Sequence, residues 1–372
     1  MAESNDLKWS DYDFTKIPYD DIVQVGQRTL LYRDLFTVSW LLGRFCNYRC
    51  SYCWPYARSD RKDHRPLDLC LRTIDEIKRQ ARANNFNSFH FSLSGGEPTF
   101  HPGYLDILGH LASDVHNTNY TSVHMTSNCS RPMKWFENYV ELAKPFHRAS
   151  ITASLHTEHL NTREKMQDFA DKLVFCQEHD VQITINMVMV PEWFEKDWDN
   201  ALFFHEQGIN VTLKPQSDPT ASRVVDGYTE EMLQRLYNGM PQLAYTESKR
   251  KWAARPRPSF ELPSYAIGEN DKSVPWHMQV EFTDSAGKKW YMDQAERFNA
   301  FGFNKFKGWS CQAGYSGIII REPDGSIKRS YSCHDVPLGN IETGFKLFDG
   351  PRPCITESCV SSADSKIPKR KV

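Results

Sequence analysis

The sequence predicts an α/β fold in which a parallel β-sheet curls into a full or partial barrel. Short runs of β-forming residues alternate with helix-length amphipathic segments across residues 36–214. The amphipathic segments are long enough to be the crossovers that parallel strands require. Repeated βα units in this number indicate such a sheet, and the chemistry of these barrels lies at the carboxyl ends of the strands.

Six strands and several other elements can be placed along the chain. The strand candidates are residues 36–43, 88–94, 122–127, 149–156, 182–190 and 210–215. Helix-like segments between them cover residues 67–85 and 162–180. Beyond residue 215 the pattern loosens to a helix at 229–240, a hairpin at 278–292 and a second hairpin signal, Pro-Asp-Gly-Ser, at 323–326.

The length of the chain favours one large domain with a smaller appendage. It has 372 residues, of which 40% are hydrophobic, enough for a sizeable core. We expect a lead-in at 1–34, a barrel at 35–240, an insertion with a basic and aromatic loop and a hairpin at 241–300, and a C-terminal domain with a basic tail at 301–372.

Charge and hydropathy argue against two classes of partner. The formal charge of −2, with both signs spread along the chain, gives no global field typical of a nucleic-acid or membrane binder. The first thirty residues lack the basic start and apolar run of a signal peptide, and no segment approaches the roughly 18 apolar residues of a membrane span. We therefore expect a soluble, cytoplasmic protein without a membrane partner.

The ten cysteines are unevenly spread. One group holds Cys46, Cys50 and Cys53. A second group holds Cys311, Cys333, Cys354 and Cys359. The remaining three, Cys70, Cys129 and Cys176, are expected to be small buried side chains. In a reducing compartment, the two groups indicate metal binding or catalysis.

The first cysteine group has too few ligands to close a tetrahedral metal site. It follows the first strand, Ser-Gly-Gly-Glu-Pro at 94–98 follows the second, residues 126–128 end the third, and Ser154 and His156 end the fourth. Three thiolates spaced Cys-x3-Cys-x2-Cys suit a soft metal centre with one open position. The alternatives are a zinc site completed by a distant residue, a redox pair and unrelated buried cysteines.

The segment Cys-Asn-Tyr-Arg-Cys-Ser-Tyr-Cys at 46–53 resembles the CxxxCxΦC signature of the radical SAM superfamily, with Tyr52 at the aromatic position. The Gly-Gly-Glu at 95–97 resembles the GGE motif of the same superfamily. The resemblance covers about residues 36–215. It implies a partial (β/α)6 TIM-like barrel and an enzyme that cleaves S-adenosylmethionine (SAM) to a 5′-deoxyadenosyl radical, which abstracts hydrogen from a substrate.

The resemblance also implies roles for individual residues. Cys46, Cys50 and Cys53 would hold a [4Fe-4S] cluster whose fourth iron binds SAM. Backbone at Gly95 and Gly96 would approach the methionyl part of SAM, and Glu97 or its adjacent carbonyls would accept from the SAM ammonium. The other implied contacts are Ser154 or Asn128 to the ribose, and Tyr52 beside the adenine.

The second cysteine group resembles the SPASM and twitch extensions of radical SAM enzymes. Gly325 and the pair Gly339-Asn340 stand where that pattern has them. The group has four cysteines ending in Cys-x4-Cys, fewer than the SPASM pattern, so the resemblance implies a twitch-like α+β extension with one auxiliary [4Fe-4S] cluster. Zinc in the same four ligands is the alternative. A redox role and a structural role are both open.

The substrate is less constrained by the sequence. Families of this kind act on small metabolites or peptides, with an electron donor such as flavodoxin or ferredoxin. The basic residues at 249–257 and Lys366, Lys369, Arg370 and Lys371 in the tail favour an alternative, modification of a nucleic-acid base. A non-catalytic iron–sulfur or zinc interaction protein is a further alternative. His156, Lys214 and Tyr315 are rim candidates for a general base, and the sequence assigns none of them.

Overall fold

A computed structural model of the chain describes residues 14–27, 34–54, 57–219, 223–240, 280–292, 298, 301–333 and 337–372. The α-helices are α1 Leu67–Ala83, α2 Tyr104–Ser113, α3 Met133–Ala143, α4 Arg163–Glu178, α5 Phe194–Glu206, α6 Glu230–Asn238 and α7 Ser362–Ser365. The first nine strands are β1 Ile22–Gln27, β2 Leu35–Leu41, β3 Ser88–Ser94, β4 Tyr120–Ser127, β5 Arg148–Leu155, β6 Val181–Met189, β7 Asn210–Pro215, β8 Val280–Asp284 and β9 Lys289–Met292. The remaining strands are β10 Ser310–Cys311, β11 Gly317–Ile320, β12 Ser326–Lys328, β13 Pro337–Asn340, β14 Gly344–Phe345, β15 Arg352–Pro353 and β16 Lys369–Arg370.

The six predicted strands form one parallel sheet in chain order, β2-β3-β4-β5-β6-β7. Each lies within two residues of its predicted ends. The helices α1 to α5 connect successive strands, as crossovers between parallel neighbours must. The prediction of an α/β fold with a parallel sheet of βα units is therefore confirmed.

The two faces of this sheet differ in chemistry because side chains alternate along each strand. One face is apolar and packs against the helices, with Trp40, Phe91, Met125 and Ile185 fully buried. The opposite face, here called the inner face, is half-buried and carries mainly hydroxyl, amide and imidazole side chains. Ser92 of β3 and His124 of β4, for example, lie side by side on this face because they are paired across the two strands. The sheet thus has a polar interior above an apolar core.

The C-terminal region extends the parallel sheet at its β2 edge. Strand β11 pairs in parallel with β2, Gly317 opposite Thr37, and β12, β13 and β14 follow in antiparallel order. A Cβ atom on Gly317 would lie 2.2 Å from Oγ1 of Thr37, so only glycine allows this pairing distance. The hairpin predicted at 323–326 is the β11–β12 turn.

A second sheet joins distant parts of the chain in the order β15-β10-β16-β1-β8-β9. Its strands come from the predicted lead-in, from the predicted hairpin at 278–292 and from the C-terminal region at 301–372. An aromatic core that includes Phe282, Phe303 and Phe306 packs beside it, together with Cys311, Cys354 and Cys359. The domain boundaries given above stay a prediction.

The basic tail is folded, which corrects one sequence expectation. The nucleic-acid alternative needs Lys369 to be available to phosphates, yet it lies in β16 between β1 and β10 and its side chain is buried. A buried ammonium cannot neutralise a phosphate, so Lys369 does not support nucleic-acid binding. The other basic segment, 249–257, lies outside the described residues.

In the described part of the chain, no helix combines the length and the apolar character that crossing a membrane requires.

Candidate functional site

The three clustered cysteines lie on the loop that leaves the carboxyl end of β2. Cys50 is buried, and Cys46 and Cys53 are half-buried. The Cys46 amide donates to the Ser59 carbonyl at 3.3 Å, and the Cys53 amide donates to the Cys50 carbonyl at 3.1 Å. The loop is therefore held by its own backbone at the edge where the parallel strands end.

The glycine loop after β3 docks directly onto the approach to Cys46. The Gly96 amide donates to the Gly43 carbonyl at 2.9 Å, and the Glu97 amide donates to the Phe45 carbonyl at 2.6 Å. A Cβ atom on Gly95 would lie 2.3 Å from the Gly43 oxygen, and one on Gly96 would lie 2.3 Å from the Arg44 oxygen. Glycine is thus needed at both positions because a side chain would collide with the backbone of residues 43–45. The sequence analysis did not foresee this contact. Their contact with SAM stays a prediction.

The Glu97 carboxylate is committed to the chain. It is 2% exposed and accepts hydrogen bonds from Thr99, through both its amide and its hydroxyl, from Ser127 Oγ at 2.8 Å and from the Asn128 amide at 2.6 Å. Burial nevertheless raises its pKa. The carboxylate joins the glycine loop to the end of β4. The adjacent carbonyls remain as the predicted acceptors of the SAM ammonium.

Asn128 lies beside the first cysteine. Its Nδ2 donates to Oδ1 of Asn47 at 2.9 Å and approaches the Cys46 sulfur at 3.9 Å, and its Oδ1 accepts from the Ser130 amide. Ser154 is half-buried on the inner face, in register with Asn186 of β6. Of the two predicted ribose contacts, Ser154 is thus on the inner face, whereas Asn128 supports the cysteine loop.

The segment after β5, residues 156–159, clamps the cysteine loop. Tyr52 Oη lies 2.8 Å from Nδ1 of His156, the Ser51 amide donates to Glu158 at 2.9 Å, and the Arg49 amide donates to Nε2 of His159 at 3.1 Å. The rings of His159 and Tyr48 stack with centroids 4.1 Å apart. Sequence reasoning had named only His156 of this segment. Its position at a strand end, rich in polar groups, was the available signal.

The cysteine thiols are protonated at neutral pH without a metal. Burial raises the pKa of Cys46 to about 11 and that of Cys50 to about 12. Cys50, Glu158 and His159 also offer ligand atoms that lie within 4.8 Å of one another. Glu158 and His159 already accept backbone hydrogen bonds from the loop, so they serve as its clamp. A metal that binds the three thiolates must displace their protons.

The inner face of the sheet holds two stacked histidines. His90 Nδ1 bonds Ser122 Oγ at 2.8 Å, His124 Nδ1 bonds Ser150 Oγ at 2.9 Å, and the ring centroids lie 6.5 Å apart. Burial lowers the pKa of His90 to about 3 and that of His124 to about 4. Both rings are therefore neutral at physiological pH. None of the six parallel strands, as bounded above, contains Asp or Glu.

Tyr331 reaches this inner face from the C-terminal region. Its hydroxyl lies 2.5 Å from Ser39 Oγ, and its backbone amide donates to Asp364. Tyr315, a rim candidate in the sequence analysis, instead packs against Phe86, which precedes β3 at the amino end of the sheet, so that expectation is wrong. Strand β11 runs parallel to β2, and a residue that precedes it must lie at that end. Lys214 is exposed in β7.

The second group of cysteines comes together beside the second sheet. All four are 2–3% exposed. The Cys354 and Cys359 thiols share a hydrogen bond that lowers the pKa of Cys354 to about 5 and raises that of Cys359. Cys311 and Cys354 lie near enough to raise the pKa of Cys333. Cys70, Cys129 and Cys176 are buried apart from both groups, as expected.

The number of these cysteines limits what they can bind. Four thiolates close the coordination of a zinc ion or of a four-iron cluster and leave no open metal position. The hydrogen bond between the Cys354 and Cys359 thiols brings two of the four sulfurs together. The group therefore suits either a zinc ion or one closed cluster.

Comparison with a family model identifies one segment of the chain. Residues 40–205 match the family model described as "Radical SAM superfamily". This segment is a radical SAM domain. The superfamily consists of enzymes that use a [4Fe-4S] cluster and SAM, so the expected class of enzyme and cofactors is confirmed. No curated protein matches the sequence.

Solved structures show the same fold. Native anSMEcpe with bound AdoMet and Kp18Cys peptide is 14% identical, with 84% of this chain and 79% of that chain covered and a TM-score of 0.50. A hexahistidine-tagged form of anSMEcpe with bound AdoMet is 14% identical, with 84% and 76% covered and a TM-score of 0.50. SuiB of Streptococcus suis bound to precursor peptide SuiA is 16% identical, with 79% and 59% covered and a TM-score of 0.43. At these identities the two anSMEcpe matches establish the architecture alone.

Proposed function

We propose that Cys46, Cys50 and Cys53 hold the [4Fe-4S] cluster of this radical SAM enzyme and leave its fourth iron for SAM. When bound, the cluster and SAM supply a 5′-deoxyadenosyl radical that removes hydrogen from the substrate. One observation carries the assignment. The three cysteines lie on a loop at the carboxyl end of β2, tied at several backbone atoms by the glycine loop and by the clamp at 156–159.

The backbone contacts that hold the cysteine loop would lower the entropic cost of binding a cluster. A loop that carries three ligands loses conformational entropy when the ligands converge, and a loop already held in place loses less. Glu97 contributes by fixing the glycine loop, and Asn128 by donating toward the Cys46 sulfur. Such second-layer contacts orient metal ligands in other proteins.

We propose that the substrate is a small metabolite or peptide whose reacting part is polar and carries no positive charge. The inner face offers hydroxyls, amides and two neutral imidazoles, and its strands have no carboxylate to balance an ammonium group. Burying an unpaired cation there would be costly, whereas hydroxyl and amide groups would find partners. The buried position of Lys369 removes part of the support for a nucleic-acid substrate.

We propose that Cys311, Cys333, Cys354 and Cys359 hold one auxiliary [4Fe-4S] cluster. The burial of the four thiols and the twitch-like pattern around them, with Gly325 and the pair Gly339-Asn340, support this assignment. With four protein ligands, this cluster has no open iron. Its role in the proposal is to hold the C-terminal region together and to exchange electrons.

The proposal is tested by anaerobic reconstitution of the full chain, followed by reduction and addition of SAM. We expect about eight irons per chain, as for two four-iron clusters, and release of 5′-deoxyadenosine. Reduced flavodoxin and ferredoxin are compared with dithionite as electron donors. Deuterated metabolites and peptides are then tested for transfer of label to 5′-deoxyadenosine. Absence of 5′-deoxyadenosine with both clusters loaded would refute the proposed reaction.

A further inference from the structure

Two cations are buried beside the second cysteine group. Lys369 is 3% exposed and Arg329 is 4% exposed. Lys369 lies opposite Cys311 in the β10–β16 pair, and the Arg329 guanidinium donates to the Pro353 carbonyl, next to Cys354. Both cations thus lie beside the chain segments that carry the thiols proposed above as cluster ligands.

Lys369 has only backbone oxygens as hydrogen-bond partners. Its Nζ donates to the carbonyls of Asp364 at 2.6 Å, Ser365 at 3.2 Å and Ile367 at 2.9 Å, and it lies 4.9 Å from the centroid of the Phe306 ring. These contacts use all three of its donors. They supply dipoles and a ring face but no opposite charge.

Arg329 is held in the same way. Its Nε donates to the Ala313 carbonyl at 3.1 Å and its Nη1 to the Pro353 carbonyl at 3.2 Å. Ala313 is two residues after Cys311, and Pro353 immediately precedes Cys354. The guanidinium therefore bridges the chain segments that carry two of the four cysteines.

Neither cation has a carboxylate at ion-pair distance within the described residues. A buried carboxylate, that of Asp364, lies beside Lys369, whose Nζ donates to the Asp364 backbone carbonyl, and this carboxylate accepts from the amides of Tyr331 and Ser332. Two buried cations against one carboxylate leave an excess positive charge in a low-dielectric region. Such an arrangement is strongly unfavourable unless anions lie nearby.

The four thiolates would supply those anions. Two Fe2+ and two Fe3+ carry +10, four sulfides carry −8 and four thiolates carry −4, which gives −2 for the complete cluster. Uptake of one electron from a reductant of the flavodoxin or ferredoxin class gives −3, and no bond or proton changes. A fixed positive charge stabilises the −3 state more than the −2 state.

We propose that Lys369 and Arg329 are the counter-charges of the auxiliary cluster and raise its reduction potential. They are positioning residues. They act on the cluster through the electric field of their positive charges and through their hydrogen bonds to the backbone beside the cysteines. This inference rests on the proposed auxiliary cluster. It assigns the cluster an electron-accepting role, because nearby cations make its reduction easier.

The test is an EPR-monitored redox titration of the reconstituted full chain carrying Arg329→Met or Lys369→Met. We expect the auxiliary midpoint potential to fall in both variants relative to the wild type. Arg329→Lys keeps the charge and should stay close to the wild type. Lys371→Met removes an exposed charge from the same tail and should leave the midpoint unchanged. An unchanged midpoint in Arg329→Met with full iron content would overturn the inference.

Thermal unfolding with and without iron gives a second readout. If the cations balance the cluster, each methionine substitution should lower the Tm more in the reconstituted chain than in the iron-free chain, and it should speed iron loss to a chelator. If a methionine substitution lowered the Tm equally with and without iron, its role would be purely structural and the inference would be refuted. The inference would also be refuted if Arg329→Lys, which keeps the charge, lost iron as fast as Arg329→Met. A wild-type chain with only about four irons, or with zinc, would instead refute the auxiliary cluster itself.

Discussion

The hydroxyl of Tyr52 lies 2.8 Å from Nδ1 of His156 and joins the cysteine loop to the carboxyl end of β5. This contact spans 104 residues of sequence. The His156 ring is enclosed between the loop and the sheet, and this burial lowers its pKa to about 4. The aromatic position of the cysteine motif is thus structural as well as a predicted neighbour of the adenine.

Tyr52→Phe should loosen the cysteine loop. The substitution keeps the ring but removes a partly buried hydrogen bond, which costs about 1 kcal/mol. We expect faster iron loss from the first cluster to a chelator and slower SAM cleavage, with the fold retained. The measurement is iron content against time alongside 5′-deoxyadenosine formation. Tyr19→Phe removes a hydroxyl bonded to the Phe14 carbonyl in the second core and is the matched control. If Tyr19→Phe changed iron loss and 5′-deoxyadenosine formation as much as Tyr52→Phe does, Tyr52 would have no specific role in holding the cysteine loop.

Cys50→Ala should abolish SAM cleavage, because the cluster loses one of three protein ligands. About four irons should remain per chain, held by the auxiliary group. Cys176→Ala serves as the control, since Cys176 is fully buried in the barrel core and belongs to neither group. It should lower stability by about 1 kcal/mol and keep both clusters. Continued 5′-deoxyadenosine formation by Cys50→Ala would remove the loop from the site.

Gly96→Ala should disrupt the docking of the glycine loop. The new Cβ would lie 2.3 Å from the Arg44 oxygen and 2.4 Å from the Phe45 oxygen, and backbone atoms cannot move aside as a side chain can. We expect a loss of roughly 1–3 kcal/mol in unfolding free energy and weaker iron binding at the first site. Gly350→Ala is the control, since a Cβ there meets nothing within 4 Å. Denaturant unfolding of both variants decides the matter.

The stacked histidines should make stability depend on pH. His90 and His124 have folded pKa values of about 3 and about 4, below the ordinary 6.5. Between about pH 6.5 and pH 4 the unfolded chain binds protons at these positions and the folded chain does not. Stability should therefore fall as the pH drops through this window.

His124→Gln should make the unfolding free energy depend less steeply on pH. The slope should fall by the amount that corresponds to about one bound proton. The groups that face this ring are His90, Ser150, Thr126, Arg148 and Lys366, and glutamine keeps a polar side chain among them. His116→Gln is the comparison, because His116 is exposed. A slope equal to that of the wild type would show that His124 titrates normally.

The sequence by itself determined the βα order, the six parallel strands and the position of the cysteine loop at their carboxyl end. These features follow from local signals, namely the period of apolar residues and short motifs with fixed spacing. The class of enzyme and its cofactors also followed from the two motifs at residues 46–53 and 95–97. Each of these depends on neighbours within a few residues.

Only the tertiary structure decided where long-range partners lie. It turned the Glu97 carboxylate inward, placed Tyr315 at the amino end of the sheet and buried Lys369 between β1 and β10. None of these follows from residue type, because a glutamate, tyrosine or lysine is compatible with either surface or interior. Pairing of distant strands and the enclosed space beside them settle the choice, and that information is spread over the whole chain.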